Sequence, residues 1–598
     1  MKTNFIYILQ LSLKRMKSKI VLLYLLTLFL YANQTAIVRA SQPNHYIETN
    51  RFNSSILGEN AYVFNPDMNM KDIQTILDTI YNRQSTRKSE FNKNRYALFF
   101  QPGTYTLDVK VGYYMQVYGL GESPDDVKII GAVRSKSMSK QGHVLTNFWR
   151  SIENLSIVPT IDSANIWGVS QAAPLRRIHV IGNLQLHDGG YASGGFLANS
   201  KVDGIVDAGQ QQQWFTRNSE FESWKGGAWN MMFMGVPKTP IENWPVAPHT
   251  VIDKTPTVRE KPYLVFKRNE FYLRIPKIKQ NSVGFDFKNK SAKSSDLRLK
   301  DFYFVYPEKD NSQTINAALQ KGKNLLFTPG IYSLDKCLNV THPGTVVFGI
   351  GMATLQSING NPILEVADVD GVILSGLMLD AGPISSETLL RVGTSDSQKN
   401  HEKNPTFLFD IYARVGGPFQ GSTKSCIVIN SNNVFVDHTW LWRADHGNGV
   451  AWDKNRSANG IIVNGNNVTV YGLFNEHFQE YQTLWNGNNG KVYFYQSEMP
   501  YDPPTVDSWK HNATNGFASY KVSDDVKSHE AWGVGVYCVF YNAPVIVDRA
   551  IETPQNLEKN IHHSFTFWLN GNKESIVKNI INNSGDSVNV KNRKATLK

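Results

Sequence analysis

The chain has 598 residues, a formal net charge of +11, 41% hydrophobic residues and 12% aromatic residues. This composition excludes a disordered protein, and the length exceeds one ordinary core, so we expect two domains or one large repetitive architecture. Without residues 1–40, which hold six cations and no acid, 62 basic residues fall to 56 against 51 acidic ones, a charge of +5. So small a charge gives no reason to expect a nucleic-acid partner.

The N-terminus has the pattern of a secretory signal. Basic residues at 14–19 precede the apolar run at 20–31, and Val38-Arg39-Ala40 follows after polar residues. The apolar run has 12 residues, whereas a membrane-spanning helix needs about 20. We therefore predict a signal peptide at residues 1–40 and a secreted chain without stable membrane association after its removal. A retained membrane anchor is the alternative.

The cysteines give no sign of a disulfide framework or a metal site. Cys337, Cys426 and Cys538 are widely spaced and odd in number, so at most one disulfide forms within the chain. No Cys/His spacing is typical of a zinc site. We expect neither a metal nor another cofactor.

One sequence pattern occurs twice. Helical spacing at residues 72–81 is followed by ALFFQPGTYTL and YGLG, and helical spacing at 315–319 is followed by LLFTPGIYSL and FGIG. Gly103 corresponds to Gly330 and Gly119 to Gly349, which places the copies 227 to 230 residues apart. This internal duplication predicts two tandem copies of one structural unit.

Short β-rich segments set off by Asn, Asp and Gly follow each copy. Residues 426–436 (CIVINSNNVFV) and 460–470 (GIIVNGNNVTV) match at an offset of 34. Long helical patterns between the strands are absent, which argues against βαβ winding. We predict an all-β chain built from two tandem right-handed parallel β-helices. Paired β-sandwiches are the alternative, although sandwich strands should alternate cleanly between apolar and polar residues.

The same patterns suggest domain boundaries. We place the N-terminal β-helix at residues 41–253 and the C-terminal β-helix at 307–598. Residues 254–306 are rich in Lys and Pro, and we interpret them as a crossover linker between the two.

Two glutamates draw attention as a catalytic pair. Glu476 and Glu498 each follow a β-branched segment that begins after an Asn/Gly turn. Aligning Val468 with Val492 puts both glutamates at even offsets, so their side chains point to one face. Carboxylates one or two rungs apart, at about 4.8 Å per rung, fall in the range of about 5 to 10 Å that sugar-cleaving enzymes use. The alternative for either glutamate is a solvated surface side chain.

Four clusters mix aromatic and polar residues, at 147–150, 167–174, 190–195 and from 439 to the two glutamates. Sugar pockets need such mixtures, since pyranose rings stack on aromatic faces while their hydroxyls require directed hydrogen bonds. Each cluster alone is ambiguous. Trp440 and Trp442 share a strand face that could be core, and Gln171 could be a ladder amide inside a coil.

The motifs WGVSQAAPLRRIHV, GYASGGF, TWLWRADHG, NEHFQEYQTLWNGNNG and QSEMPYDPP together resemble glycoside hydrolase family 55, the exo-β-1,3-glucanases or laminarinases. The resemblance covers most of the chain after residue 40. It implies two β-helices packed side by side with the active-site cleft between them, and hydrolysis of β-1,3-glucan from the chain end with inversion at the anomeric carbon. We expect a monomer whose partner is this polysaccharide.

The resemblance also assigns roles to residues. Glu498 corresponds to the family's general acid, so its pKa should be raised. Gln171 and Ser193 resemble the residues that position the attacking water, and Glu476 resembles the carboxylate of that network and is the candidate base. The proposed substrate-binding residues are Tyr191, Trp442 and Tyr501, followed by Phe148, Asp445 and His446.

Two other functions fit a β-helix. A polysaccharide lyase usually recruits calcium through clustered acids, and no comparable Asp-rich cluster is evident in the sequence. A carbohydrate-binding β-helix without catalysis is the other alternative. If Gln171 and Ser193 come from the first half and the glutamates from the second, neither half should be active alone.

Overall fold

Short parallel strands stacked rung upon rung make up most of the fold. The computed structural model describes residues 53–54, 56–288 and 294–597, so the predicted signal peptide lies outside the described residues. The described residues from Ser54 onward belong to one compact unit. Within the described residues, no helix combines the length and apolarity needed to cross a membrane.

The first β-helix has two parallel sheets. One sheet contains, in spatial order, Gly58–Phe64, Tyr96–Phe100, Met115–Gly119, Arg150–Glu153, Leu175–Arg176, Phe196–Ala198, Gln213–Arg217, Asn230–Met234 and His249–Ile252, with Asn53–Ser54 at its edge. The other contains Gly103–Lys110, Val127–Arg134, Ser156–Pro159, Asn165–Ile166, His179–Val180, Leu184–Gln185, Lys201–Asp207 and Glu220–Lys225. Successive rungs pair in parallel, for example Phe196 with Phe215, which excludes a sandwich of antiparallel strands.

The second β-helix repeats this plan. Its larger sheet contains Tyr303–Val305, Leu325–Phe327, Ile331–Leu334, Val346–Gly349, Thr354–Ser357, Ile373–Asp380, Thr406–Val415, Val434–Arg443, Thr469–Glu476, Gly490–Glu498, His529–Phe540, Ile561–Gly571 and Lys594–Leu597. Its smaller sheet contains Leu338–Val340, Leu364–Val366, Ser386–Val392, Thr423–Ile429, Asn459–Val463, Thr483–Trp485, Tyr520–Val522 and Ile551–Glu552. Short pairs are Lys510–His511 with Thr514–Asn515 and Ile546–Val547 with Ile576–Val577.

Both predicted helices are confirmed, as Met70–Gln84 and Ser312–Gln320. Short 3-10 helices are Arg87–Phe91, Pro124–Asp126, Leu299–Asp301 and Gln555–Asn560. Each α-helix covers the edge strand of a smaller sheet with one amide side chain. Gln74 exchanges two hydrogen bonds with the main chain of Asp108, and Asn316 bonds the main chain of Cys337 and Asn339. The duplicated pattern therefore builds the same edge cover twice.

Asparagine ladders turn the chain at the corners of the second β-helix. Asn464 Nδ2 donates to Asn430 Oδ1, and Asn486 Nδ2 donates to Asn464 Oδ1, both at 2.7 Å. Three residues after Asn464 and Asn486, the residues Asn467 and Asn489 adopt the left-handed backbone that Asn tolerates. The offset of 34 seen in the sequence is therefore one turn of the β-helix.

The connecting segment folds into antiparallel sheets while it carries the chain between the β-helices. Thr255–Val258 pairs with Lys279–Ser282, and Glu270–Pro276 pairs with both Tyr263–Lys267 and Ser294–Arg298. Its buried Leu264 and Leu273 pack in one cluster with Leu120 of the first β-helix and Phe348 of the second.

The two β-helices share a hydrophobic seam along their larger sheets. The first contributes Tyr113, Tyr114, Phe148, Trp149, Phe196, Phe215, Met232 and Met234, and the second contributes Met352, Met378, Tyr412, Trp440, Trp442, Tyr471, Phe474, Tyr493 and Phe494. Packing of such large rings from both sides holds the β-helices side by side. Cys337, Cys426 and Cys538 are free thiols.

Candidate active site

Glu476 and Glu498 lie on adjacent rungs of the second β-helix. Strands Thr469–Glu476 and Gly490–Glu498 are parallel, and their register pairs Glu476 directly with Glu498. The sequence-based alignment of Val468 with Val492 is wrong, since Val492 pairs with Val470. The prediction that both glutamate side chains point to one face of the sheet is nevertheless correct. In either register their offset along the strands is an even number of residues, and side chains at even offsets share a face.

A kink in both strands directs the glutamates toward the seam. Gly472 and Phe494 have φ angles of +74° and +69°, and the main chain turns at these positions. Beyond the kink, Phe474 packs in the seam cluster while Leu473 packs inside the β-helix. Glu476 lies two residues after Phe474 on the same strand, so its side chain points to the same face, toward the seam.

Glu476 is a buried carboxylate with three N–H donors. Gln171 Nε2 and Gln496 Nε2 donate to Oε1 at 2.9 and 2.8 Å, and Trp440 Nε1 donates to Oε2 at 2.8 Å. Burial raises the pKa of Glu476, while His477 and these donors oppose the increase. Because amide and indole N–H groups only donate, they favour the ionised form of Glu476.

Gln171 and Ser193 bring the first β-helix to this carboxylate. Gln171 has a φ of +35°, and its Nε2 donates to Ser193 Oγ at 3.1 Å as well as to Glu476. Ser193 Oγ also accepts a hydrogen bond from Gln213 Nε2 at 2.9 Å. Two incoming N–H donors occupy the acceptor positions of Ser193, so its own O–H is left to donate.

Close packing across the seam requires a glycine at position 194, the first glycine of the pair in GYASGGF. Its φ is +94°, and a Cβ atom there would lie 2.7 Å from Phe474 Cε1 of the second β-helix. An L side chain would be strained by this backbone and would collide across the seam. The missing side chain lets Ser193 approach the glutamate strands.

Glu498 has the environment of a proton donor. Tyr501 OH donates to its Oε2, and Gln496 Nε2 makes only a long contact of 3.4 Å to Oε1. Burial, the charge of Glu476 and the charge of Asp445 all raise the pKa of Glu498 well above its usual range. The surroundings of Glu498 therefore favour its protonated form, whereas the N–H donors around Glu476 oppose protonation there.

Asp445 and His446 form a charged pair beside the acid. Burial opposes ionisation of Asp445, but the hydrogen bond from His446 and the charge of His477 lower its pKa to about 2. Burial likewise opposes protonation of His446, yet hydrogen bonds to Asp445 and to Glu90 of the first β-helix, at 2.9 and 2.7 Å, raise its pKa to about 10.

The predicted aromatic walls divide into exposed and buried rings. Tyr191 is 52% exposed and stacks on His143 at 4.8 Å, while Tyr501 is half-buried at Glu498. Trp442 is only 1% exposed and stacks against Phe91, so in this structure its face is not available to a sugar ring. Phe148 is likewise buried, against Trp440. The seam covers both rings in this structure, and their roles as sugar contacts stay predictions.

Several residues of the site were missed in the sequence. Tyr541 is 60% exposed and lies edge-on to Tyr501 at 5.6 Å. Gln496 could have been found, because it stands two residues before Glu498 on the same strand face. Glu90 and Gln213 had no such signal, because they come from distant segments of the first β-helix.

An enzyme that cleaves glycosidic bonds with two carboxyl groups needs them in different protonation states. The seam holds two neighbouring carboxyl groups in different surroundings. Together with its scaffold, this places the chain among the β-helical glycoside hydrolases. Among the described residues there is no cluster of three or more His, Cys, Asp or Glu able to hold a metal ion.

Known proteins resemble this chain over most of its length. Residues 304–498 match the model of the LAM55 pectate lyase-like domain. An exo-beta-1,3-glucanase of Streptomyces sp. (strain SirexAA-E / ActE) is 42% identical over 89% of this chain and 87% of that protein. Two solved structures of sacteLam55A from Streptomyces sp. SirexAA-E, one of them a variant in complex with glucose, superpose with a TM-score of 0.87 at 40% identity. They cover 90% and 91% of this chain and 98% of each of theirs. The chain belongs to glycoside hydrolase family 55.

Proposed function

We propose that this protein hydrolyses β-1,3-glucan from the chain end with inversion of the anomeric carbon, with Glu498 as general acid. The observation that carries the proposal is the hydrogen-bonded path from Ser193 through Gln171 to Glu476, which lies next to a carboxyl group of raised pKa. The name of the 42% identical relative supports both the substrate and the exo action.

Glu498 is suited to protonate the departing glycosidic oxygen. Its raised pKa keeps a proton on the carboxyl group near neutral pH. Tyr501 OH donates to Oε2, which leaves Oε1 as the oxygen that carries the transferable proton. When the glycosidic C–O bond breaks, this proton passes to the leaving oxygen and Glu498 becomes a carboxylate.

The contacts of Glu476 support inversion over a covalent intermediate. A carboxylate nucleophile must reach the anomeric carbon, but Glu476 is 2% exposed and both its oxygens accept N–H donors. Its assigned role is therefore to take up the proton lost by water rather than to form a bond to the sugar. In the proposed reaction, the water oxygen bonds to the anomeric carbon as the glycosidic bond breaks.

Ser193 and Gln171 are placed to hold that water. The O–H of Ser193 is left to donate to the water oxygen, as its acceptor positions are filled. Within the described residues, Gln171 Oε1 is buried without a hydrogen-bond partner, and it can accept from the same water. In the proposed step, the water gives its proton to Gln171 Oε1 while one amide hydrogen passes from Nε2 to Glu476 Oε1. Gln171 is then an imidic acid, and it returns to the amide when Nε2 takes the proton back from Glu476 and Oε1 releases its proton to water.

Incubation with laminarin, followed by chromatography and NMR of the first products, tests the proposal. We expect glucose or a short oligosaccharide from the first minutes, released as the α-anomer. A β-anomer would contradict inversion, and long internal fragments would contradict action from the chain end. Binding of laminarin without any turnover would show that the protein is a carbohydrate-binding β-helix instead.

We further propose that the chain is exported and acts as a monomer. The apolar run at residues 20–31 and the preceding cations support export. N-terminal sequencing of the protein from culture medium should begin near residue 41, and light scattering during size-exclusion chromatography should give the mass of one chain.

A further inference from the structure

A cluster of charged side chains is buried at the seam behind the site. It has three cations and four carboxylates, contributed by both β-helices and the connecting segment: Glu153, Arg176, Arg217, Glu260, Lys261, Asp410 and Asp437. We call these residues the seam ion cluster. All are at least nine-tenths buried. A buried cluster is favourable only when its charges balance and its hydrogen bonds are satisfied.

His438 connects this cluster to the catalytic amide. The imidazole is completely buried, and its Nδ1 lies 2.9 Å from Asp410 Oδ1. Its Nε2 lies 3.3 Å from the main-chain oxygen of Gln171. The ring stacks on Phe196 at 5.0 Å with an interplanar angle of 4°, so its orientation is set by packing as well as by hydrogen bonds.

Both partners of the imidazole accept hydrogen bonds. A main-chain carbonyl only accepts. Asp410 is held as a carboxylate because, although burial opposes ionisation, Arg176, Lys261 and His438 lower its pKa well below the usual range. Tyr412 OH is also near Nδ1, at the longer distance of 3.2 Å. The hydroxyl of Tyr412 could donate to an unprotonated Nδ1, but the Asp410 carboxylate is the nearer partner. With Asp410 on one nitrogen and the carbonyl on the other, the ring is satisfied only when both nitrogens carry hydrogen.

Charge balance is compatible with a proton on both nitrogens of His438, and it leaves one other candidate for the balancing proton. The seam ion cluster alone carries one more negative than positive charge when all its members are ionised. A proton on both nitrogens of His438 brings the total to zero. The other way to reach neutrality is a proton on Glu153, whose contact with Lys261 Nζ is the closest in the cluster.

We infer that His438 is an imidazolium that positions Gln171, donating from Nδ1 to Asp410 and from Nε2 to the carbonyl of Gln171. Gln171 has a φ of +35°, a conformation that the surroundings must hold in place. Fixing its peptide plane aims the amide at Ser193 and Glu476. The kinetic consequence of this inference rests on the proposed function, whereas the protonation state does not.

Neutron diffraction from deuterium-exchanged crystals of the wild-type protein at neutral pH tests the protonation state. We expect deuterium on both Nδ1 and Nε2 of His438. If Nε2 carries no deuterium, His438 does not donate to the carbonyl of Gln171. If Glu153 carries deuterium and only one nitrogen of His438 does, the proton that balances the cluster lies on Glu153. Either result overturns the inference, whether or not the protein hydrolyses laminarin.

A double-mutant cycle tests the positioning role. His438→Gln should lower kcat about 10- to 100-fold, as expected for misplacement of a catalytic group, with KM within about threefold of wild type. In a Gln171→Ala background, the same change should lower kcat less than about twofold, because the amide it positions is gone. Equal losses in both backgrounds would show a purely structural role and overturn the inference.

His401→Gln is the matched control. His401 is also buried between two carboxylates, Asp368 and Asp370, but does not touch the site. Its substitution should change stability without changing kcat. If His438→Gln does not fold, or the Gln171→Ala background is too slow to measure, the neutron map still shows whether Nε2 of His438 donates to the carbonyl of Gln171. The positioning role depends on that hydrogen bond, and its absence would overturn the inference.

Discussion

Gln171 Nε2 donates to Glu476 Oε1 at 2.9 Å across a separation of 305 residues. This bond joins a corner of the first β-helix to the end of a strand in the second. It makes the site a property of the seam, since Glu476 and Glu498 belong to one β-helix while Gln171 and Ser193 belong to the other.

Substitution of Glu498 tests the general acid. Glu498→Gln should lower kcat on laminarin by about 10² to 10⁴, with little change in KM, because the amide cannot donate a proton at the rate of a carboxylic acid. An aryl β-glucoside with a good leaving group should be affected much less, since that leaving group needs no protonation. Equal losses on both substrates, measured at saturation, would argue against this role.

Asp445 should set the alkaline limit of activity. Its charge is one of the causes that raise the pKa of Glu498, and the alkaline limb of the kcat profile follows loss of the Glu498 proton. Asp445→Asn removes that charge, so the pKa of Glu498 falls and the limb moves to lower pH. A profile measured from pH 4 to 9 checks this shift. Movement to higher pH would contradict the electrostatic assignment.

His446 should stabilise the fold only while it is protonated. Its pKa rises from 6.5 to about 10 on folding, so its contribution is fully present below pH 6.5 and is lost as pH rises through 10. The difference in free energy of unfolding between wild type and His446→Asn should therefore shrink across this window. Denaturant melts at pH 6, 8 and 10 measure it, and a constant difference would contradict the linkage.

Gly194→Ala should damage both stability and catalysis. The new methyl group would meet Phe474 across the seam at 2.7 Å, and such overpacking costs about 1 to 3 kcal/mol. Gly189→Ala is the matched control, because Gly189 has a similar φ of +91° but no atom within 4 Å of the added carbon. Thermal melts and kcat should separate the two variants. Equal effects would mean that backbone strain alone is responsible.

Ser193→Ala should lower kcat while KM stays nearly constant. The change removes a hydroxyl that accepts from both Gln171 and Gln213 and has its own proton left to donate. We expect a loss of about 10² to 10³, as for other preorganised donors. Ser200→Ala, which removes a buried hydroxyl bonded to Ala198 O at 2.8 Å, is the control. A larger effect of the control would contradict the assignment.

The pairing of the two glutamate strands differs from the one predicted from the sequence, and the corner residues are the reason. The sequence-based alignment used the first β-branched residues, Val468 and Val492, but the structure superposes the corner asparagines, Asn467 on Asn489. Corner residues set the register of a β-helix because their left-handed backbone and side-chain ladder recur at every turn. An alignment on the Asn-Asn pairs would have placed Glu476 directly beside Glu498.

The sequence by itself determined the class of fold, both helices, the repeat and the shared face of the glutamates, because strand periodicity and corner residues are local properties. Only the tertiary structure decided that Gln213 and Glu90 belong to the site and that Trp442 is covered. Those outcomes depend on which surfaces of two β-helices meet. That choice is made by packing between residues hundreds of positions apart, which no local pattern records.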